Sequence, residues 1–161
     1  MINISVYAKT PDTDPSRLTA VIETLPFTKK LRISNTINGL AQSLRSSKAY
    51  DDVAILMISQ PEEMVDMLSF KKKLQDRYTM IVLPDRDERH LSVAIQLSPI
   101  LLCFADSDFS EVKAVLERID AKAVINSERA EAHRIWPSGF GDSILDMIGG
   151  FGYSRNSMPL Y

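Results

Sequence analysis

Asp52-Val53-Ala54-Ile55-Leu56-Met57-Ile58-Ser59-Gln60-Pro61 is the most informative run in the chain. Six consecutive apolar residues, Val53 to Ile58, leave no polar face. A run this short and this uniform reads as a strand covered on both sides, the situation of a central strand in a parallel sheet. Gln60-Pro61-Glu62-Glu63 then supplies a helix start, with proline at the first helical position and carboxylates in the first turn. Met64, Met67, Leu68 and Leu74 continue it at helical spacing. The segment is therefore a buried strand followed at once by a helix.

The same unit recurs on both sides. Strands are predicted at Ile2–Ala8, Lys30–Ser34, Val53–Ser59, Thr79–Leu83 and Ile100–Phe104. Helices are predicted after each. Asp14-Pro15 opens one before Leu18, Val21, Ile22 and Leu25, and Asp108-Phe109-Ser110-Glu111 opens another before Val112, Val115, Leu116 and Ile119. Weaker patterns cover Ile37–Arg45 and Asp87–Leu97. Five strand–helix units with short right-handed crossovers predict an α/β fold: a doubly wound, five-stranded parallel sheet of flavodoxin-like order 2-1-3-4-5.

Composition narrows the chemistry. Nineteen basic and 21 acidic residues among 161 give a net charge of −2, which argues against nucleic acid or an anionic membrane as partner. Cys103, His90 and His133 are the only cysteine and histidines, so an intrachain disulfide is impossible and a Cys/His metal cage is not expected. The longest apolar runs, about six residues, are far below the roughly 20 that cross a bilayer. The opening Met1–Tyr7 alternates like a strand and lacks the basic start of a targeting peptide, so a cytoplasmic protein is expected. With Gly39 the only glycine before residue 139, no Gly-rich phosphate loop can form in the first 119 residues.

Glycine also divides the chain. Gly139, Gly141, Gly149, Gly150 and Gly152 all lie in the last part, so residues 1–119 are expected as the (βα)5 domain and 120–161 as a C-terminal extension. Ala121–Ile135 is predicted as a further helix, followed by a turn from Trp136 and a short helix from Asp142 to Ile148. Trp136, Phe151, Tyr153 and Tyr161 are aromatic anchors suited to packing on the body or on a partner subunit, and a homodimer is expected.

In element order and in Asp52–Pro61, residues 1–119 resemble a response-regulator receiver domain. An acidic strand start, a buried apolar run and a later proline recur in that family, and Pro61 stands at the proline position. The resemblance implies a phosphoacceptor aspartate at the end of the third strand, where this chain has Met57. It implies an acidic pair for Mg²⁺ after the first strand, where this chain has Tyr7 and Ala8 and no acid before Asp12. It implies a hydroxyl residue ending the fourth strand and a lysine ending the fifth, where Pro84 and Ala105 stand. Methionine carries no oxygen that could form an acyl phosphate. The resemblance therefore implies a pseudo-receiver, a member of bacterial two-component signal transduction that works by protein contact without phosphotransfer. Its contact face would be residues 87–119, by analogy with the output surface of receivers. His90 and Val112 are the candidate contact residues there.

The remaining candidates have simpler readings. Asp12, Asp85 and Asp106 lie after strands and could offer oxygens to a divalent cation, but helix caps and solvated loops explain acids at these places, and no metal or cofactor is expected. His90, in the charged run Asp85–His90, is expected on an exposed helix face. Cys103, within an apolar strand, is expected as a buried hydrophobe. No catalytic constellation emerges. The alternative is a small-ligand binder or enzyme using the crevice at the strand carboxyl ends. A structural subunit assembled through the tail is a third reading.

Overall fold

The computed structural model describes residues 1–9, 13–45 and 51–135. Among the described residues, five strands and six helices follow one another as β1 (Ile2–Ala8), α1 (Ser16–Glu23), β2 (Thr28–Ser34), α2 (Ile37–Arg45), β3 (Asp52–Met57), α3 (Pro61–Ser69), α4 (Lys71–Leu74), β4 (Tyr78–Leu83), α5 (Glu88–Gln96), β5 (Leu101–Phe104) and α6 (Ser110–Ile135). The sheet is wholly parallel, in the order β2-β1-β3-β4-β5. The expected doubly wound α/β arrangement is therefore present. Among the described residues, no helix is long and apolar enough to cross a membrane.

All six residues of β3 are buried, which is why its sequence shows no alternation. Odd and even positions nevertheless serve different layers. Ile4, Val6, Val53, Ile55, Met57 and Val82 pack with Leu18 and Ile22 of α1 and Val112, Leu116 and Ile119 of α6. Tyr7, Ala54, Leu56, Ile81 and Leu83 pack on the other side with Leu40 and Leu44 of α2, Met64 and Met67 of α3, Leu74 of α4 and Ala94 of α5. The period of two along each strand separates these cores, and their burial is the main favourable term of folding.

Local chemistry fixes the helix starts. Asp14 accepts from the Ser16 backbone N–H at 2.9 Å and from its hydroxyl at 2.8 Å, Thr36 Oγ1 accepts from Gly39 N–H at 3.0 Å, Asp87 from Arg89 N–H at 2.9 Å, and Asp108 from Ser110 N–H at 3.0 Å. Each satisfies a donor that the first helical turn leaves free. Before α6, Phe109 adopts φ +59°, strained for a bulky side chain, and in return its ring is buried at 3% exposure. The Arg17 guanidinium braces this turn by donating to the Ala105 and Ser107 carbonyls at 3.3 and 3.0 Å.

Two elements differ from the sequence reading. The helix beginning at Pro61 stops at Ser69, and Lys71–Leu74 forms a separate turn after Phe70. The helix expected to end near Ile119 and the one expected from Ala121 are a single helix, α6, of 26 residues. Asp120-Ala121-Lys122-Ala123 contains neither glycine nor proline, so nothing in it breaks the backbone hydrogen-bond ladder. Chain contacts group residues into Met1–Val124 and Ile125–Tyr161, a boundary that falls inside α6.

Candidate functional site

Parallel register brings the strand carboxyl ends together. Ala8 pairs with Met57, Met57 with Val82, and Leu83 with Phe104. Pro84 and Ala105 follow directly on β4 and β5, and Ala105 N–H donates to the Leu83 carbonyl at 2.8 Å. Ala8, Met57, Pro84 and Ala105 thus meet at one end of the sheet. Ala8 and Met57 are buried, at 1% and 3% exposure. None of Ala8, Met57, Pro84 and Ala105 carries an ionisable group, so this row offers neither a hydroxyl or carboxylate oxygen to a phosphoryl group nor a carboxylate to a hard cation.

The titratable groups lie around that row. Tyr7, on the face opposite Met57, is buried beside Glu63 from the first turn of α3, and Glu63 is itself only 3% exposed. Burial first, then the charge and hydrogen bond of Glu63, then the charge of Asp66, push the Tyr7 phenol up to about 12. Ser59 Oγ donates to Glu63 Oε1 at 2.5 Å. The Glu63 carboxylate, read in the sequence as a helix-dipole residue, is thus also a polar plug between β1 and α3. Its burial is invisible locally because the covering residue, Tyr7, lies 56 positions away.

His90 is a correction. It was expected on an exposed face and as a contact residue, but it is buried at 7% exposure, with Nδ1 2.7 Å from Asp85 Oδ1. The reason is helical phase. With Asp87 as N-cap, His90 leads an inward stripe through Ala94 and Leu97, at spacings of four and three. Val112 is a second correction: fully buried with Leu116 and Ile119 in the core beneath α6, it cannot be a surface anchor.

Asp85 and Asp106 are engaged separately. Asp85 accepts from Asp87 N–H at 3.0 Å as well as facing His90, and these contacts, the backbone one first, lower its carboxyl below the usual range. Asp106 pairs with Arg86 at 3.2 Å in the open. Among the described residues, no three His, Cys, Asp or Glu side chains converge as a metal site. Asp12, Trp136, Phe151, Tyr153 and Tyr161 lie outside the described residues.

Two features had no sequence signal. At the amino end of the sheet, buried Asp52 receives Arg77 Nε at 3.3 Å and Asn3 Nδ2 at 3.2 Å, while Arg77 also donates to the Leu44 and Lys73 carbonyls. At the far edge, a cavity of about 450 Å³ is lined by Arg86, by Leu102, Cys103 and Phe104 of β5, and by residues 107–111 leading into α6. The Arg86 guanidinium stacks 4.3 Å from the Phe104 ring centre. Cys103 is buried as expected, and burial, followed by the charge of Glu111, pushes its thiol up to about 11.

No protein-family model, curated protein or solved structure matches the chain.

Proposed function

We propose that the protein is a non-phosphorylatable pseudo-receiver that acts by protein contact in a cytoplasmic bacterial signalling system. The observation that carries this reading is the end of β3, where Met57 is buried against Ala8 and Val82 and offers no oxygen to a phosphoryl group. Ala105 after β5 provides no amine to neutralise a transferred phosphate. Asp85 and Asp106, the nearest described acids after β4 and β5, are taken up by the first turn of α5 and by Arg86. In this reading the rigid sheet presents α5, β5 and the start of α6, residues 87–119, to a partner. The buried His90 and Val112 hold that face in place from behind. A homodimer held through the aromatic residues of the tail belongs to the same proposal.

Incubation with acetyl phosphate and Mg²⁺ tests the reading. No phosphoprotein is expected by intact mass, and an acid-stable acyl phosphate anywhere on the chain would refute it. Because α6 is continuous, the tail is best removed after Ile135 rather than within the helix. Loss of dimer mass on that truncation is the expected result. The small-ligand reading draws support from the cavity beside β5, whose volume is of ligand size. A melting-temperature screen against nucleotides and flavins is its test.

A further inference from the structure

The cavity of about 450 Å³ beside β5 combines an apolar surface with charges of both signs. Leu102 and Phe104 of β5 and Phe109 ahead of α6 supply the apolar part. The Arg86 guanidinium is held over the Phe104 ring, and its Nη1 donates to Asp106 at 3.2 Å. Among the described residues, nothing accepts from its Nε and Nη2. Those two donors form one edge of the guanidinium fork, an edge that can take a carboxylate bidentately. The two acids of the lining differ. Asp108 accepts from the Ser110 N–H at 3.0 Å and faces Arg17. Glu111 has neither an ion pair nor a side-chain hydrogen bond among the described residues, and its charge acts on the buried Cys103 thiol of the same lining. One carboxylate and one guanidinium edge are therefore unmet around an apolar space. The lining is also held in shape. Arg17 donates to the Ala105 and Ser107 carbonyls, and Phe109 is fixed at φ +59° with its ring buried. A site ordered before binding loses less free energy when its ligand arrives.

We propose that this cavity binds a small zwitterion, an α-amino acid with an apolar side chain. Its carboxylate pairs with the unmet edge of Arg86, its ammonium with Glu111, and its side chain lies against Leu102 and Phe104. This names the ligand class of the small-ligand reading and rests on that reading; it is independent of the protein-contact reading. The two unmet charges decide between ligand classes. A plain anion meets Glu111 with no counter-charge of its own, and a plain cation meets Arg86 in the same way, so a molecule carrying both signs is favoured over either. A nucleotide or flavin brings phosphate charge that Glu111 repels, and the volume lies toward the lower end of ligand cavities.

Isothermal titration of the full chain with phenylalanine and leucine is the test. The matched probes are 3-phenylpropionate, which lacks the ammonium, and phenethylamine, which lacks the carboxylate. Both amino acids are expected to bind, and each probe to bind at least about tenfold more weakly than phenylalanine. Glu111→Gln should weaken phenylalanine about tenfold without weakening 3-phenylpropionate, and Arg86→Gln should weaken phenylalanine without weakening phenethylamine. Both positions are exposed, so the melting temperature of the unliganded protein should hold in each variant, and the comparison of probes on the wild-type chain stands without them. Failure of both amino acids to bind, equal binding of phenylalanine and either probe, or unchanged phenylalanine affinity in either variant overturns the proposal. Nucleotide or flavin binding without amino-acid binding also overturns it, while leaving the small-ligand reading in place; no binding in any arm removes both. Acetyl phosphate labelling bears on the pseudo-receiver reading alone.

Discussion

Met57 has a side chain that fits both its strand and the core beneath α1 and α6. Replacing it with aspartate places a carboxylate in an apolar layer with no partner, so Met57→Asp is expected to cost about 3 kcal/mol or more and still to give no phosphoprotein. Met57→Leu, nearly isosteric, should cost under about 1.5 kcal/mol. Urea unfolding of both variants checks the contrast, and equal stability would place Met57 outside the core. Tyr7 and Cys103 give a second residue-scale expectation. Their folded values, about 12 and about 11, lie above the ordinary 10 and 9. Each group therefore contributes its stabilisation in full below the ordinary value and loses it as pH rises through the folded one. Stability should decline between about pH 9 and 12, and Tyr7→Phe should remove the upper part of that decline. The thiol should resist Ellman's reagent until the protein is unfolded.

Among the elements, the helices depend on exposed aspartates at their starts. Asp14, Asp85, Asp87 and Asp108 all have carboxyls lowered by hydrogen bonds in the first turns of α1, α5 and α6. A lowered folded value means that the stabilisation is present above the unfolded value and is lost as pH falls through the folded one. Melting temperature should therefore drop as the solution is acidified below about pH 4. Asp108→Asn, which can still cap, should flatten part of that drop without removing the cap, whereas Asp108→Ala should lower the melting temperature at neutral pH as well. Identical acid profiles for wild type and Asp108→Asn would show that the cap charge is not linked to folding. These caps were legible in the sequence, because Asp two residues before a helical run is a local signal. The phase they set is legible too, and it turns His90 inward. Its place in the stripe with Ala94 and Leu97 follows from counting fours and threes from Asp87.

For the whole molecule, the ion pair at the amino end of the sheet ties β3, α2 and α4 together. Asp52 and Arg77 side chains are 2% and 15% exposed, and Arg77 reaches carbonyls at the ends of α2 and α4. Arg77→Met removes the guanidinium from a buried carboxylate and is expected to cost about 3 kcal/mol. Adding Asp52→Asn should recover part of that loss, since the remaining pair is neutral. Chemical denaturation of the two variants measures it, and a double variant no more stable than Arg77→Met would mean that the pair is not coupled.

Taken alone, the sequence determined the five strands, their order and the two-sided covering of the sheet, though not where α3 stops or that α6 runs unbroken. Those depend on near neighbours: the uniform apolar run of β3, the alternation of its flanks, and caps two or three residues from the helices they start. It also determined that Met57, Pro84 and Ala105 carry no phosphorylatable or ionisable side chain, because that is a property of the residues themselves. Only the tertiary structure decided which polar groups are buried and which distant groups meet. Tyr7 meets Glu63 across 56 residues, Asp52 meets Arg77 across 25, and among the described residues β5 is the last strand of the sheet. Such facts depend on distant segments brought into contact by hydrophobic burial, which carries no local pattern and so leaves none to read.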